Sequence, residues 1–572
     1  MMKAALHRCF FYPVLFLFIP LFPSCTDQPN VENPRPNILW IVVEDISPYI
    51  GAYGNPEVKT PNIDRLASEG VRYTNVHTTA GVCAPSRSAI ITGMYPMSIG
   101  TQHMRTLGDS KYSGVPRYSA VIPEDVKCFP EYLRLEGYYC TNNEKQDYQF
   151  EAPVTVWDVN GPTASWRNRL DGKPFFSIFN FSVTHESQLF SRLDDSLTVD
   201  PAKVTVPPIL PDTKTTRIDI ARLYTNIEIM DSQVGEIIDK LKEDGLYDNT
   251  IIIFYSDNGG AIPWTKREIT ERGTHIPFIV RFPNATNAGT TNDELVSAVD
   301  FAPTMLSLAG IKIPEYMQGQ AFLGEQKSAT PRKYVFAARD RMDTETDRVR
   351  SVTDGRYRYV YNYMPEKPFY QDIQYRISIP GMQEILSMKE EGTLNPVTMT
   401  WFNTKPVEEL YDEVNDPWDL KNLAGDSAYR EKLNELRTAF QEWTSTVGDL
   451  SEKSEQEMIR RMWNGKDRAP ATELPEIQRM NNGVKITCRT TGASIGYRII
   501  NVAQPDAVRM EPEMSWDFGV MNRPELKGRD LPVKPSWNLY REGETISLHR
   551  GDTLKINAMR IGYLPAVMDF VF

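Results

Sequence analysis

NILWIVVED, residues 37–45, decides how this chain is read. Ile38–Val43 is an unbroken apolar run that ends in two acids, Glu44 and Asp45. A strand covered on both faces reads this way, because neither side of its pleat meets water. Acids at the end of such a strand point to a functional edge, since ligand crevices of open α/β sheets lie beyond the carboxyl ends of the strands. The pattern recurs in PFFSIFNFSVTH (174–185), which ends in His185, and in TIIIFYSDNGG (250–260), which carries Asp257 and Asn258. Helical stretches lie between them: TPNIDRLASEG (60–70), with proline at its start and glycine at its end, CFPEYLRLEG (128–137), and a long amphipathic run from Thr216 to Gly245. IPFIVRFP (276–283) and DFAPTMLSLAG (300–310) continue the alternation. It predicts a doubly wound α/β domain with its site at the carboxyl edge of the sheet.

The remainder is organised differently. KYVFAARD, RVRSVTDG and RYRYVYNY, between Lys333 and Tyr363, read as antiparallel strands, and SAYREKLNELRTAFQEW (427–443) as a helix. A charged, then proline-bearing stretch follows, and beyond Glu476 come short strands of a small all-β module. The expected organisation is an export signal at 1–25, a tether at 26–35, an α/β domain at 36–332, an α+β subdomain at 333–448, a linker at 449–475 and a β domain at 476–572. The chain of 572 residues is longer than one domain and can bury a large core. Its net charge of −12 argues against a nucleic-acid partner. An anionic substrate would need a local basic pocket.

Residues 1–25 begin with a basic stretch, continue through an apolar run too short and proline-broken for a membrane span, and close on LFPSC. This resembles a bacterial lipobox, in which Cys25 carries lipid; a plain secretory signal is the alternative. The expected address is an exported lipoprotein, periplasmic or on the cell surface, touching the membrane through its anchor only. Of six cysteines, Cys9 and Cys25 fall in this signal. Cys128 and Cys140 flank one helix and either pair or stay reduced. Cys83 has no evident partner.

Cys83 opens CAPSRSAIITG (83–93), a turn with a helix behind it. A helix N-terminus favours an anion through its free N–H groups. At a shared sheet edge, Glu44, Asp45, Asp257 and Asn258 would offer four oxygen-bearing side chains, suited to a hard dication such as Ca²⁺ or Mg²⁺. Taken singly, Asp-Asn-Gly is also an ordinary turn, and Glu-Asp at a strand end a helix cap.

The stretch from Cys83 resembles the signature of the type I sulfatases, Cys-x-Pro-Ser-Arg followed by Thr-Gly. TPNIDRLASEGVRYTN, LRLEGYYC, FYSDNG, a lysine ahead of ERGTHIP, and ELYDEVNDPWDLKNLA extend the resemblance from about Pro36 to Ala424. It implies the fold of the alkaline-phosphatase superfamily: a doubly wound sheet with a smaller antiparallel C-terminal subdomain, here with an appended small all-β domain. It also implies that a separate maturation enzyme oxidises Cys83 to formylglycine, whose hydrated aldehyde attacks sulfur and then expels sulfate through its second hydroxyl. By the same resemblance Arg87 steadies residue 83, Lys145 and Lys266 contact the sulfate, His185 protonates the leaving atom, and Glu44, Asp45, Asp257 and Asn258 hold the metal. Two positions depart from the family: Glu44 stands where an aspartate is usual, which favours Ca²⁺ over Mg²⁺ because its coordination is looser, and Asp147 stands where a histidine is usual.

EDISPYIGAYGN, the His103 region and RSVTDGRYRYVYNY look most like the N-sulfoglucosamine sulfohydrolase (sulfamidase) branch. The implied substrate is a sulfated saccharide, N-sulfated glucosamine of heparan type acted on from a chain end; an O-sulfate on another glycan is the near alternative. A phosphodiesterase or phosphonate hydrolase of the same superfamily, and a glycan-binding protein without catalysis, are the other readings. His103, Asp147, Asp340 and Arg341 are the expected substrate contacts, with Arg105 and Asp343 close by. The last module resembles the small β domain at the C-terminus of some hexosaminidases.

Overall fold

An eight-stranded sheet organises the N-terminal half, in the order Val159–Asn160, Tyr139–Asn143, Phe175–Phe181, Asn37–Val43, Thr250–Ser256, Phe278–Arg281, Val71–Tyr73 and Thr290–Asn292. The structure is a computed structural model that describes residues 35–108, 110–170, 172–501 and 536–572. The export signal and Cys25 lie outside the described residues. Asn37–Val43 pairs in parallel with Phe175–Phe181 on one side and Thr250–Ser256 on the other, and Val43 is level with both Phe181 and Ser256. The residues that follow these three strands therefore leave the sheet at one edge. Phe278–Arg281 runs antiparallel to its two neighbours, so the sheet is mixed rather than wholly parallel.

The apolar run 38–43 is continuous because its residues alternate between two cores. Ile38, Trp40 and Val42 enter the layer that holds Ile90, Phe129 and Phe301; Leu39, Ile41 and Val43 enter the layer that holds Ile63, Leu66 and Ile220. Trp40 anchors the first layer, with ring contacts at 5.1 Å to Phe176 and 5.2 Å to Tyr255. Truncating so central an aromatic side chain to alanine costs about 3–5 kcal/mol.

The long helix is Lys214–Glu243, capped by the Thr213 hydroxyl, which accepts from the Thr216 N–H. Its Asp219 is buried and accepts the Gly381 N–H at 2.7 Å. Burial outweighs that bond and raises the carboxyl to about 7, from an ordinary value of about 3.9. Over that interval the folded protein holds a proton that the unfolded chain releases, so stability falls as pH rises through it. Asp219→Asn should therefore raise the melting temperature at pH 8 by a few degrees and change little at pH 4; thermal scans across pH check this.

The second sheet is antiparallel, in the order Val335–Arg339, Val349–Thr353, Tyr357–Asn362 and Glu408–Asp412. Helix Arg430–Val447 covers it with Leu433, Leu436, Phe440 and Trp443, which fall on one face. Residues 449–475, expected as a linker, depart from that reading. They contain a helix, Glu455–Met462, capped by Ser454. Met458 and Ile459 are buried beside Val115 and Tyr118, and Asp449 accepts from Arg348 and Arg350. Two of the charges that suggested a solvated linker, Asp449 and Glu455, are spent on internal pairs with Arg348, Arg350 and Arg341, while Glu452, Lys453, Arg460 and Lys466 stay exposed.

The final residues form a three-stranded and a four-stranded sheet. They dock on the first domain where Lys127 donates to the Gly492 carbonyl at 2.7 Å and the Ser494 hydroxyl at 2.9 Å. Pro36–Phe572 make one compact unit. Cys128 and Cys140 are buried, free thiols.

Candidate active site

Cys83 is the first residue of a helix, Cys83–Thr92, that is buried along its whole length and ends where Gly93 turns left-handed at φ 71°. Arg87, one turn on, donates from Nε to Asp257 Oδ2 at 2.7 Å and from Nη1 to Asn180 Oδ1 at 2.6 Å. The helix is thereby tied to the ends of the two strands that flank Asn37–Val43. Burial pushes the Cys83 thiol up to about 12, against the pull of Lys145 and Lys266. As a thiol it stays protonated near neutral pH and is a poor nucleophile.

The strand ends converge as the sheet order requires. Asn258 Nδ2 donates to Asp45 Oδ1 at 2.9 Å, and the Glu186 N–H to Asp45 Oδ2 at 2.7 Å. Asp45 holds a left-handed φ of 56°, uncommon for a residue with a side chain and a mark of constraint at a site. Lys145 Nζ donates to Glu44 Oε2 at 2.9 Å and lies 3.9 Å from Asp257. Lys266 Nζ donates to Asp45 Oδ2. His185 Nε2 stands 3.8 Å from Glu44 and 3.9 Å from Asp45, while Nδ1 is 2.9 Å from the Ser187 hydroxyl. Burial disfavours charge on Glu44, yet Lys145, His185 and Arg87 hold its carboxyl below the usual range. Asp45 is held low in the same way, burial being offset by Lys266, His185 and the Glu186 N–H together. Asp257 goes up, because burial and its two acidic neighbours outweigh Arg87. The nine residues expected to do chemistry or hold metal thus meet in one place.

Residues 36–311 match the family model described as Sulfatase. The chain is 44% identical, over 93% of its length and 90% of the relative's, to a protein named ulvan-active sulfatase from Formosa agariphila. The chain belongs to the sulfatase family. Residues 260–374 match the model described as N-sulphoglucosamine sulphohydrolase, C-terminal. The human protein named N-sulphoglucosamine sulphohydrolase is 24% identical over 72% of this chain and 90% of its own. Among solved structures, BT4656 in complex with its substrate D-glucosamine-2-N,6-O-disulfate superposes with a TM-score of 0.53 at 18% identity, covering 74% of this chain and 99% of that one. The fold is that of the alkaline-phosphatase superfamily, and the protein is a sulfatase. The family is generally dependent on formylglycine and on metal.

In this sulfatase, residues 264–270 split their side chains between site and scaffold. The Arg267 N–H donates to the Gly81 carbonyl at 2.6 Å. Gly81 has to be glycine: a Cβ there would sit 1.9 Å from the Glu268 carbonyl oxygen. This close approach fixes Lys266 beside Cys83. Arg267 makes a bidentate pair with Glu186, both bonds 2.7 Å and both residues buried. Neither residue was expected to matter. Each sits next to a residue that was, Lys266 and His185, but nothing in the sequence announces that they meet. Asn180, the second partner of Arg87, was hidden inside an apolar strand.

The expected substrate contacts fare differently. Asp147 stays near the centre, 3.7 Å from Lys145 Nζ, with a left-handed φ of 56°. Asp340 and Arg341 turn inward. Asp340 is buried on Arg350. Arg341 is closed by Glu455 and by the carbonyls of Met104 and Asp343. His103 is buried 4.0 Å from Glu455. These three brace the cleft through internal pairs: Glu455, on the helix expected as a linker, answers Arg341 and His103, and Arg350 answers Asp340. Arg105 and Asp343 line the cleft itself.

Among the described residues, no three His, Cys, Asp or Glu side chains form a ready-made metal cluster. Each carboxylate faces a different cation, and the fourth expected ligand is an amide. The buried oxygen of that amide, Asn258 Oδ1, has no hydrogen-bond partner among the described residues. A buried acceptor without a donor is costly unless a cation satisfies it. With three carboxylates beside it, the donor set fits a hard dication.

Proposed function

We propose that the protein removes sulfate groups from a sulfated polysaccharide, using formylglycine at position 83 and a calcium ion held by Glu44, Asp45, Asp257 and Asn258. The observation that carries this is the convergence of Cys83, Arg87, Lys145, His185 and Lys266 on those four oxygen ligands at one sheet edge. Bound there, the ion supplies positive charge against the sulfate oxygens. The hydrated aldehyde supplies an oxygen nucleophile and, through its second hydroxyl, a way to release sulfate. Lys145 and Lys266, now resting on Glu44 and Asp45, are placed to turn onto the sulfate oxygens. Arg87 holds Asp257 and the helix in register. His185 stands on the open side of the cleft, where it can give a proton to the departing oxygen or nitrogen. Cys83 is only 3% exposed, so its maturation enzyme must act on the chain before folding closes the site. The reading includes export and a lipid anchor on Cys25.

Ulvan is the first substrate to test, because the ulvan-active relative is far more similar than the human sulfamidase is. N-sulfated glucosamine of heparan type is the second reading, favoured by the C-terminal match at 260–374. Sulfate release from ulvan, from N-, 2-O- and 6-O-sulfated disaccharides, and phosphate release from a model phosphodiester, measured together, decide between them. Activity on the phosphodiester alone would overturn the proposal.

The metal makes a separate prediction. Elemental analysis should find one calcium per chain. Chelation should lower the melting temperature, with recovery on adding Ca²⁺. Asn258→Ala should lose that recovery. Zinc, or two tightly bound ions, would contradict this.

A further inference from the structure

The cleft over Cys83 is lined by Arg105, His185, Lys266, Asp343 and Tyr375. His185 and Lys266 belong to the sulfate; the role of the other three is open. Arg105 donates from Nε to Asp343, and its guanidinium carbon lies 4.9 Å over the Tyr375 ring. Tyr375 is set by Phe190, 5.4 Å away, and meets the His185 ring edge-on at 6.0 Å. The three form a connected ledge that begins beside His185. Arg105 and Asp343 face each other from left-handed backbones, φ 61° and 51°. Two such residues paired at one cleft mouth mark a constrained site.

The other arginines nearby are closed at their forks. Arg267 spends both Nη atoms on Glu186, and Arg341 spends its own on Glu455 and two carbonyls. Arg105 is bound through Nε alone, and among the described residues its Nη atoms have no hydrogen-bond partner. Its side chain is 32% exposed. A guanidinium held at one nitrogen, stacked on a ring and open at its fork matches a planar or tetrahedral oxyanion bidentately. A neutral hydroxyl would use one donor and leave the charge unanswered.

We propose that Arg105, oriented by Asp343 and Tyr375, binds a second oxyanion of the saccharide, a carboxylate or another sulfate, on the leaving-group side of the scissile bond. This rests on the sulfatase acting on a saccharide, and it makes the preferred substrate an acidic glycan with two anionic groups. Arg105 is then a specificity residue rather than part of the reaction.

The test compares kcat/KM on matched pairs: a sulfated disaccharide containing a uronate against its carboxyl-reduced form, and a disulfated disaccharide against its singly sulfated form. Wild type should prefer one dianionic member by tenfold or more, and the pair that shows the preference identifies the anion. In Arg105→Gln that ratio should fall towards one, chiefly through KM. Arg105→Lys, which keeps the charge but not the fork, should retain part of it. Equal rates on both pairs with wild type, or a preference that survives in Arg105→Gln, overturns the inference while leaving the sulfatase reading intact. Because the wild-type comparison needs no variant, a misfolded Arg105→Gln does not protect the idea. No sulfate release from any of the four saccharides or from ulvan would overturn both readings.

Discussion

Cys83→Ala should lower sulfate release by about 10⁴-fold or more, while the protein should keep its fold and the calcium proposed for it. Among the described residues, residue 83 is the nucleophile candidate at the point where Lys145, Lys266 and His185 meet, so removing it removes the covalent route. The side chain is also small and sits among Val82, Met342 and Ile373, so loss of one sulfur atom leaves the helix buried and Arg87 still bonded to Asp257. Cys83→Ser should be nearly as inactive unless the host's maturation enzyme accepts serine. Melting temperature and calcium content should match wild type in both variants. Wild-type turnover in Cys83→Ala would refute the mechanism.

His185→Ala is the second large effect. Burial and Lys266 hold this imidazole below its usual pKa, which disfavours its charged form in the resting protein. A bound sulfate answers Lys266 and brings negative charge, which favours the protonated ring. A sugar alkoxide or an amine is a poor leaving group without that proton. Turnover of sugar sulfates should therefore drop by about 10²–10⁴-fold. An aryl sulfate, whose phenolate leaves unaided, should suffer much less. An equal loss on both substrate types would show that His185 holds the sulfate rather than protonating the leaving atom.

The catalytic half was legible in the sequence because its parts are local. Each central strand announces itself as a run such as ILWIVV or TIIIFYS, and each delivers its functional residues within a few positions of its end. Parallel pairing with Val43 level with Phe181 and Ser256 then brings Glu44, His185 and Asp257 together without further information. What escaped was long-range pairing of charges. Glu455 lies 114 residues from Arg341, and no spacing rule links them. A charged stretch such as SEKSEQEM looks solvated until its partners are known, so a supporting helix there has the composition of a linker. Asp340 and Arg341 were read as substrate contacts for the same reason: an ion pair buried on both sides and a solvated charged loop have the same composition. Backbone strain was equally invisible, and with it the left-handed residues Asp45, Arg105, Asp147 and Asp343 that shape the cleft.

The central claim is that residue 83 reacts as an aldehyde and not as a thiol. Mass spectrometry of the tryptic peptide Tyr73–Arg87, taken from protein made in a host with a maturation enzyme, tests it most directly when sulfate release is measured on the same sample. The account predicts an aldehyde at position 83, trapped by a hydrazide, in a fraction that tracks specific activity from preparation to preparation. Full activity from protein whose peptide carries only the unmodified cysteine would contradict it.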